Sequence, residues 1–175
     1  MFSVAQTPEA QFEIGNGAYK AKWFVPAGPD HAQVAASQAV LDYFETVHDH
    51  HFAATSDVKL IAERVRKLFH ETEQPLLDKL LTFLSNHPNV TLLGSDQASE
   101  RAATVSIVPT QQTPQELGRK LVEQGIMCGV GHFYAVRLLE AMNVDPDTGV
   151  VRLSFVHYTT PEEIDQLIAA LDQAL

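Results

Sequence analysis

The sequence predicts an α+β fold in which a long amphipathic helix leads into a small sheet with helices packed on it. Three observations carry this. Apolar residues recur at spacings of three and four from Leu60 to Leu84, the mark of one helix face. Short apolar or β-branched runs at 90–93 and 104–108 end at Gly94 and Pro109, and another spans 150–156, as strands do. Thr113-Pro114-Gln115-Glu116 and Thr160-Pro161-Glu162-Glu163 each place a capping hydroxyl, a proline at the first helical position and a glutamate at the third.

Residues 1–29 are rich in Gly and Pro and read as irregular chain. Asp30 is a candidate cap for a helix through Val34, Leu41 and Phe44. Ser56 or Asp57 opens the next segment, either one long helix or two meeting near Pro75, where proline removes a hydrogen bond. Asn86-His87-Pro88 ends it. Val90–Leu93 and Thr104–Val108 read as strands, and a helix follows Thr113 and stops before Gly125. Ile126–Val130 reads as a strand, Phe133–Met142 as a short helix, and Val150–Val156 as a strand. The last helix follows Thr160, with Ile164, Leu167, Ile168 and Leu171 as its apolar stripe. The alternation from Val90 onward implies one small α+β unit.

Composition bounds function. The 175 residues carry 22 acidic and 12 basic side chains, a formal net charge of −10. This argues against nucleic acid or an anionic membrane as partner, since both select a basic face. Cys128 is the single cysteine, so no intramolecular disulfide forms and a reducing compartment is expected. Residues 1–10 show no basic, apolar leader. No stretch reaches the ~20 apolar residues of a membrane span, and the expected location is the cytoplasm.

His48-Asp49-His50-His51 offers two histidines three apart, a spacing that can share a metal. No third or fourth ligand is apparent, so a polar helix end is the favoured reading and no metal site is assigned. Gly15-Asn16-Gly17 lacks the strand, lysine and helix that make a phosphate loop. Cys128 sits in an apolar run and reads as inert core.

Gly149-Val150-Val151-Arg152-Leu153-Ser154-Phe155-Val156-His157-Tyr158-Thr159-Thr160-Pro161-Glu162-Glu163 resembles the closing signature of class V aminotransferases, the family that includes cysteine desulfurases. Thr159 stands where the family usually has Asn. Gly125–Leu139, centred on Gly131-His132-Phe133-Tyr134-Ala135, and Pro26-Ala27-Gly28-Pro29-Asp30-His31-Ala32 resemble further family segments, with Arg101 before its strand. The resemblance implies the small C-terminal domain of a pyridoxal phosphate (PLP) enzyme of fold type I, with a short, mainly antiparallel sheet. Residues 1–55 would be a remnant of the large cofactor domain, 56–88 the connector helix and 89–175 the small domain.

It further implies roles. Arg152 would bind the substrate α-carboxylate, because a guanidinium fork matches a carboxylate in two parallel hydrogen bonds. His132 and Tyr134 would line the substrate loop. Gly28, Pro29, Asp30 and His31 would approach the cofactor phosphate of the neighbouring subunit in a homodimer. Desulfurases carry a nucleophilic cysteine on that loop; Tyr134 holds its place here. His157 would lie on the strand face opposite Arg152, and Tyr158 would pack structurally. The cofactor's Schiff-base lysine is expected upstream of the matched region, in a missing N-terminal domain, with Lys20 a remote candidate. PLP is then expected in the parent enzyme, acting on an amino acid, with this chain inactive alone. The alternative is a non-catalytic α+β assembly domain needing a partner chain. An exposed apolar face on the helix from Asp57 to Leu84 would mark it.

Overall fold

The structure, a computed structural model, describes residues 31–175. The chain divides into two compact units, with the boundary between Val65 and Arg66.

In the first unit, α1 (His31–Ala36) and α2 (Gln38–His51) stand where one helix was expected. The break is at Ser37, whose hydroxyl donates to the Val34 carbonyl at 2.6 Å. The next amide bond there is the tighter i to i+3 kind, Val40 N–H to the Ser37 carbonyl at 3.2 Å. His48 is fully buried. Its Nε2 lies 3.1 Å from an Arg64 amino nitrogen, and its Nδ1 lies 3.0 Å from Asp49. Arginine can only donate, so Nε2 accepts and Nδ1–H donates. The histidine run forms the C-terminal end of α2, with His48 turned inward. No metal-holding group of side chains occurs among the described residues.

The helix α3 (Val58–Asn86) is continuous through Pro75. Asp57 caps it, its carboxylate accepting from the amides of Lys59 at 3.0 Å and Leu60 at 3.2 Å. Pro75 and Glu71 are both exposed, so water can satisfy the carbonyl that the proline leaves without its helical donor.

The second unit is built on a four-stranded antiparallel sheet, β1 (Val90–Leu93), β2 (Thr104–Pro109), β3 (Gly129–Gly131) and β4 (Val150–Ser154). Their order is β1-β2-β4-β3. Alternation along β2 sends Val105 and Ile107 into the core, and β4 adds Val151 and Leu153. The second half of α3 contributes Leu77, Leu80, Leu81 and Leu84 to the same core. From α4 (Pro114–Glu123) come Leu117 and Leu121, and from α6 (Pro161–Ala174) Ile164 and Leu171. Truncating one of these leucines to alanine costs roughly 2–5 kcal/mol.

Both Thr-Pro-x-Glu sequences form complete capping boxes, at Thr113 with Glu116 and at Thr160 with Glu163. The predicted stripe of α6 is buried at Ile164, Leu167 and Leu171, while Ile168 is half-buried. Lys79 pairs with Asp165. The end of α6 is tied down by Gln112 Nε2 and Lys120 Nζ, both donating to the Ala174 carbonyl.

Two expected elements are shorter than read. The strand at 126–130 is shortened and shifted to Gly129–Gly131, and the helix at 133–142 reduces to α5 (Val136–Ala141). Phe133 and Tyr134 adopt φ of +49° and +60°, a left-handed geometry that no helix can include. Likewise β4 ends at Ser154, two residues before Val156, so strand alternation does not reach His157. That ring stacks on Phe69 with centroids 3.6 Å apart. Tyr158, in a turn, is 76% exposed and meets the His157 ring edge-on with centroids 5.2 Å apart, so it packs at the surface and not in the core.

Candidate functional site

The face of the sheet opposite the leucine core carries the site. Register sets a row across it: Leu93 pairs with Ser106, Ser106 with Arg152, and Arg152 with Gly129. Each side chain of that row projects to the same side. A small apolar floor lies beside it, from Leu93, Leu139 and Val150 with Val108, Phe133 and Val144 against them.

Arg152 is half-buried, and its guanidinium carbon lies 3.9 Å from the centroid of the Phe133 ring. The left-handed turn at Phe133 and Tyr134 brings the ring back over β4. Gly129 makes room for it: a Cβ there would fall 2.8 Å from Phe133 Cζ. A second close approach anchors the loop. Gly149 has φ of +72°, and a Cβ on it would lie 2.6 Å from the Gly131 carbonyl carbon.

Arg152 and Phe133 line a cavity of about 460 Å³ together with Arg101, Ser106 and His132. Arg101 is held by two backbone carbonyls, of Ser95 at 2.5 Å and Thr104 at 2.9 Å. Its Nε is buried without a hydrogen-bond partner. Burial lowers its pKa from the ordinary guanidinium value. His132 is exposed at the rim, where its Nδ1 accepts the Tyr134 amide at 3.0 Å. Tyr134 is 79% exposed and is not part of the cavity wall.

The structure therefore brings Arg152 and His132 to one cavity and leaves Tyr134 outside it. Gly28, Pro29, Asp30 and Lys20 lie outside the described residues, and His31 is the first residue of α1. Phe133, Ser106 and Gly129 escaped the sequence reading. The close-set Gly129 and Gly131 ahead of an aromatic were the available signal. Cys128 is half-buried, with Sγ 3.9 Å from the Gly118 carbonyl, and burial raises its thiol pKa. It does not line the cavity. On α3, Ile61, Val65, Leu76, Leu77, Leu80, Leu81 and Leu84 are buried, Leu68, Phe69 and Phe83 are half-buried, and Val58 is exposed.

Comparison with solved structures gives the fold class. The chain is similar to the apo cysteine desulfurase from Thermococcus onnurineus NA1, with a TM-score of 0.57 at 21% identity, over 66% of this chain and 28% of that one. It is also similar to the cysteine desulfurase CsdA from Escherichia coli, with a TM-score of 0.53 at 21% identity, over 70% and 32% of the two chains. The fold is that found in PLP enzymes of fold type I.

The family description "Aminotransferase class-V" matches residues 52–167, and the chain belongs to that family. It is 38% identical over 109 residues to the aminotransferase-like protein FGM3 of Gibberella zeae, covering 60% of this chain and 27% of that protein. It is 38% identical over 96 residues to the probable cysteine desulfurase 1 of Mycobacterium leprae, covering 55% and 15%. The chain thus spans about a quarter or less of the length of these two curated relatives.

Enzymes of this family depend on PLP. The cavity lining fits the cofactor only in part. It offers guanidinium donors for an anionic group, but neither a lysine to bond the aldehyde nor a carboxylate to hold a ring nitrogen. Among the described lysines, Lys67 lies beside Glu71, Lys79 pairs with Asp165, Lys120 holds the end of α6 and Lys59 is exposed.

Proposed function

We propose that this chain supplies the substrate-carboxylate side of a PLP-dependent enzyme acting on an amino acid. The observation that carries the reading is Arg152. It stands in the middle of a sheet face, at the wall of a cavity, stacked on an aromatic ring and without a carboxylate within ion-pair distance among the described residues. A guanidinium so placed is pre-organised, because the ring fixes its plane while its donors remain available.

In this reading Arg152 takes the α-carboxylate in two parallel hydrogen bonds. His132, at the rim, would face the bound substrate, and Tyr134, on the same loop, would contact it from outside the cavity wall. PLP supplies the electron sink for chemistry at the substrate Cα. Its attachment is contributed by groups outside this cavity, and Gly28, Pro29, Asp30 and His31 approach the cofactor phosphate of a neighbouring subunit in a homodimer. Residues 1–55, 56–88 and 89–175 serve as part of the cofactor domain, connector and small domain. Sulfur transfer by a loop thiolate is not part of the proposal, because Tyr134 holds that place and Cys128 is half-buried away from the cavity.

The test is substrate affinity in the parent enzyme. Arg152→Ala is expected to raise KM for the amino acid by about a hundredfold, in line with a charge-assisted bidentate pair. Arg152→Lys should recover only part of it. An unchanged KM in Arg152→Ala would overturn the assignment.

A further inference from the structure

The cavity on the open sheet face holds a second guanidinium. Arg101 and Arg152 both line it, His132 stands at its rim, and the wall contains no Asp or Glu. Among the described residues neither arginine has a carboxylate within 4 Å. The neighbouring Glu100 is engaged instead by the Ser95 hydroxyl at 2.7 Å. A concave wall with two unneutralised positive charges is unusual in a chain of net charge −10, and such a wall concentrates anions.

Arg101 is fixed rather than mobile. Two of its five donors are spent on the Ser95 and Thr104 carbonyls. Its Nε is buried and has no hydrogen-bond partner among the described residues, so the amino nitrogens are the donors that face the cavity. The guanidinium lies at the β1 end of the row, 3.8 Å from where a Cβ on Gly94 would stand. Its amino group also reaches the Thr104 carbonyl on β2, so Arg152, on β4 and paired with Ser106 of β2, lies one to two strand spacings away. At ~4.8 Å per strand the two cations are about 5–10 Å apart, a span that a four- or five-carbon dicarboxylate bridges.

We propose that the substrate of this site is an amino dicarboxylate: Arg152 takes the α-carboxylate and Arg101 takes a second carboxylate at the end of the side chain. This rests on the Arg152 reading above. Ser106, midway in the row, offers its hydroxyl between the two ends, and the apolar floor of Leu139 and Val150 accommodates the intervening methylenes.

The experiment is isothermal titration of the full chain with glutarate and with butyrate, which differ by one terminal carboxylate. Wild type should bind glutarate about tenfold more tightly or better, as expected for one added charge-assisted contact. Arg101→Gln should remove that preference, bringing the glutarate affinity down to that of butyrate. Ser106→Asp keeps Arg101 in place and puts a carboxylate between the cations, and it should also remove the preference. This covers the case in which Arg101→Gln fails to fold. Equal affinities in wild type, a preference that survives both variants, or no binding of either probe would overturn the proposal. Arg152→Gln reads the underlying assignment separately. It should weaken both probes, and unchanged butyrate binding there would overturn the role of Arg152 itself.

Discussion

The Arg152 guanidinium carbon lies 3.9 Å from the centroid of the Phe133 ring, although the two residues stand on different segments. The contact exists because Gly129, paired with Arg152 across the strands, has no side chain to hold the ring away. Phe133→Leu keeps the apolar volume and loses the ring face. It should weaken carboxylate binding by about three- to tenfold, the worth of a partly exposed cation–π contact. Titration of the variant with butyrate checks this.

Gly129→Ala should be felt through the same ring. The new methyl would meet Phe133 Cζ at 2.8 Å and Cε1 at 2.9 Å, and overpacking of this kind costs about 1–3 kcal/mol. In the Phe133→Leu background the penalty should shrink. A double-mutant cycle by urea unfolding measures the coupling, and additive costs would show that the ring is not what Gly129 accommodates.

Two further glycines separate backbone strain from collision. Gly149 and Gly125 have φ of +72° and +80°, but only Gly149 has neighbours, the backbone atoms of Gly131 at 2.6 to 2.9 Å. Gly125→Ala should cost about 1 kcal/mol for its φ alone. Gly149→Ala should cost clearly more, since backbone cannot swing aside, and should disturb the loop that carries His132. Chemical denaturation of the two variants side by side checks the order.

Burial raises the Cys128 thiol pKa. The folded chain thus holds that proton more tightly than the unfolded chain does. The associated stability is present below the ordinary thiol pKa and declines as pH rises through the folded value. At pH near 8.5, alkylation of the native chain by iodoacetamide should be slower than that of the urea-unfolded chain. Equal rates would mean an exposed, ordinary thiol.

Local signals were the legible ones. The capping boxes at Thr113 and Thr160 and the Asp57 cap need only residues three positions apart, and all three form. The strand that carries Arg152 was legible from the apolar run at 150–156, while its carboxylate role came from the family resemblance and stands as the proposal. Phe133 was not, because its left-handed backbone depends on Gly129, Gly131 and Gly149, which meet only once β3 and β4 pair. Arg101 carried a hint as part of a family-like segment. Its place in the cavity follows from the Ser95 and Thr104 carbonyls that hold its guanidinium beside Gly94, which no linear spacing reveals. The single helix expected over 30–44 failed at Ser37 for a similar reason, since a serine hydroxyl can either face solvent or bond the preceding turn.

The central claim is that Arg152 receives an amino-acid carboxylate, and side-chain nitrogen NMR of the Arg152 Nε–H group tests it most directly. Titration of the chain with alanine should move that resonance to saturation, while alanine methyl ester at the same concentrations should leave it in place. No movement with alanine, or equal movement with the ester, would contradict the account.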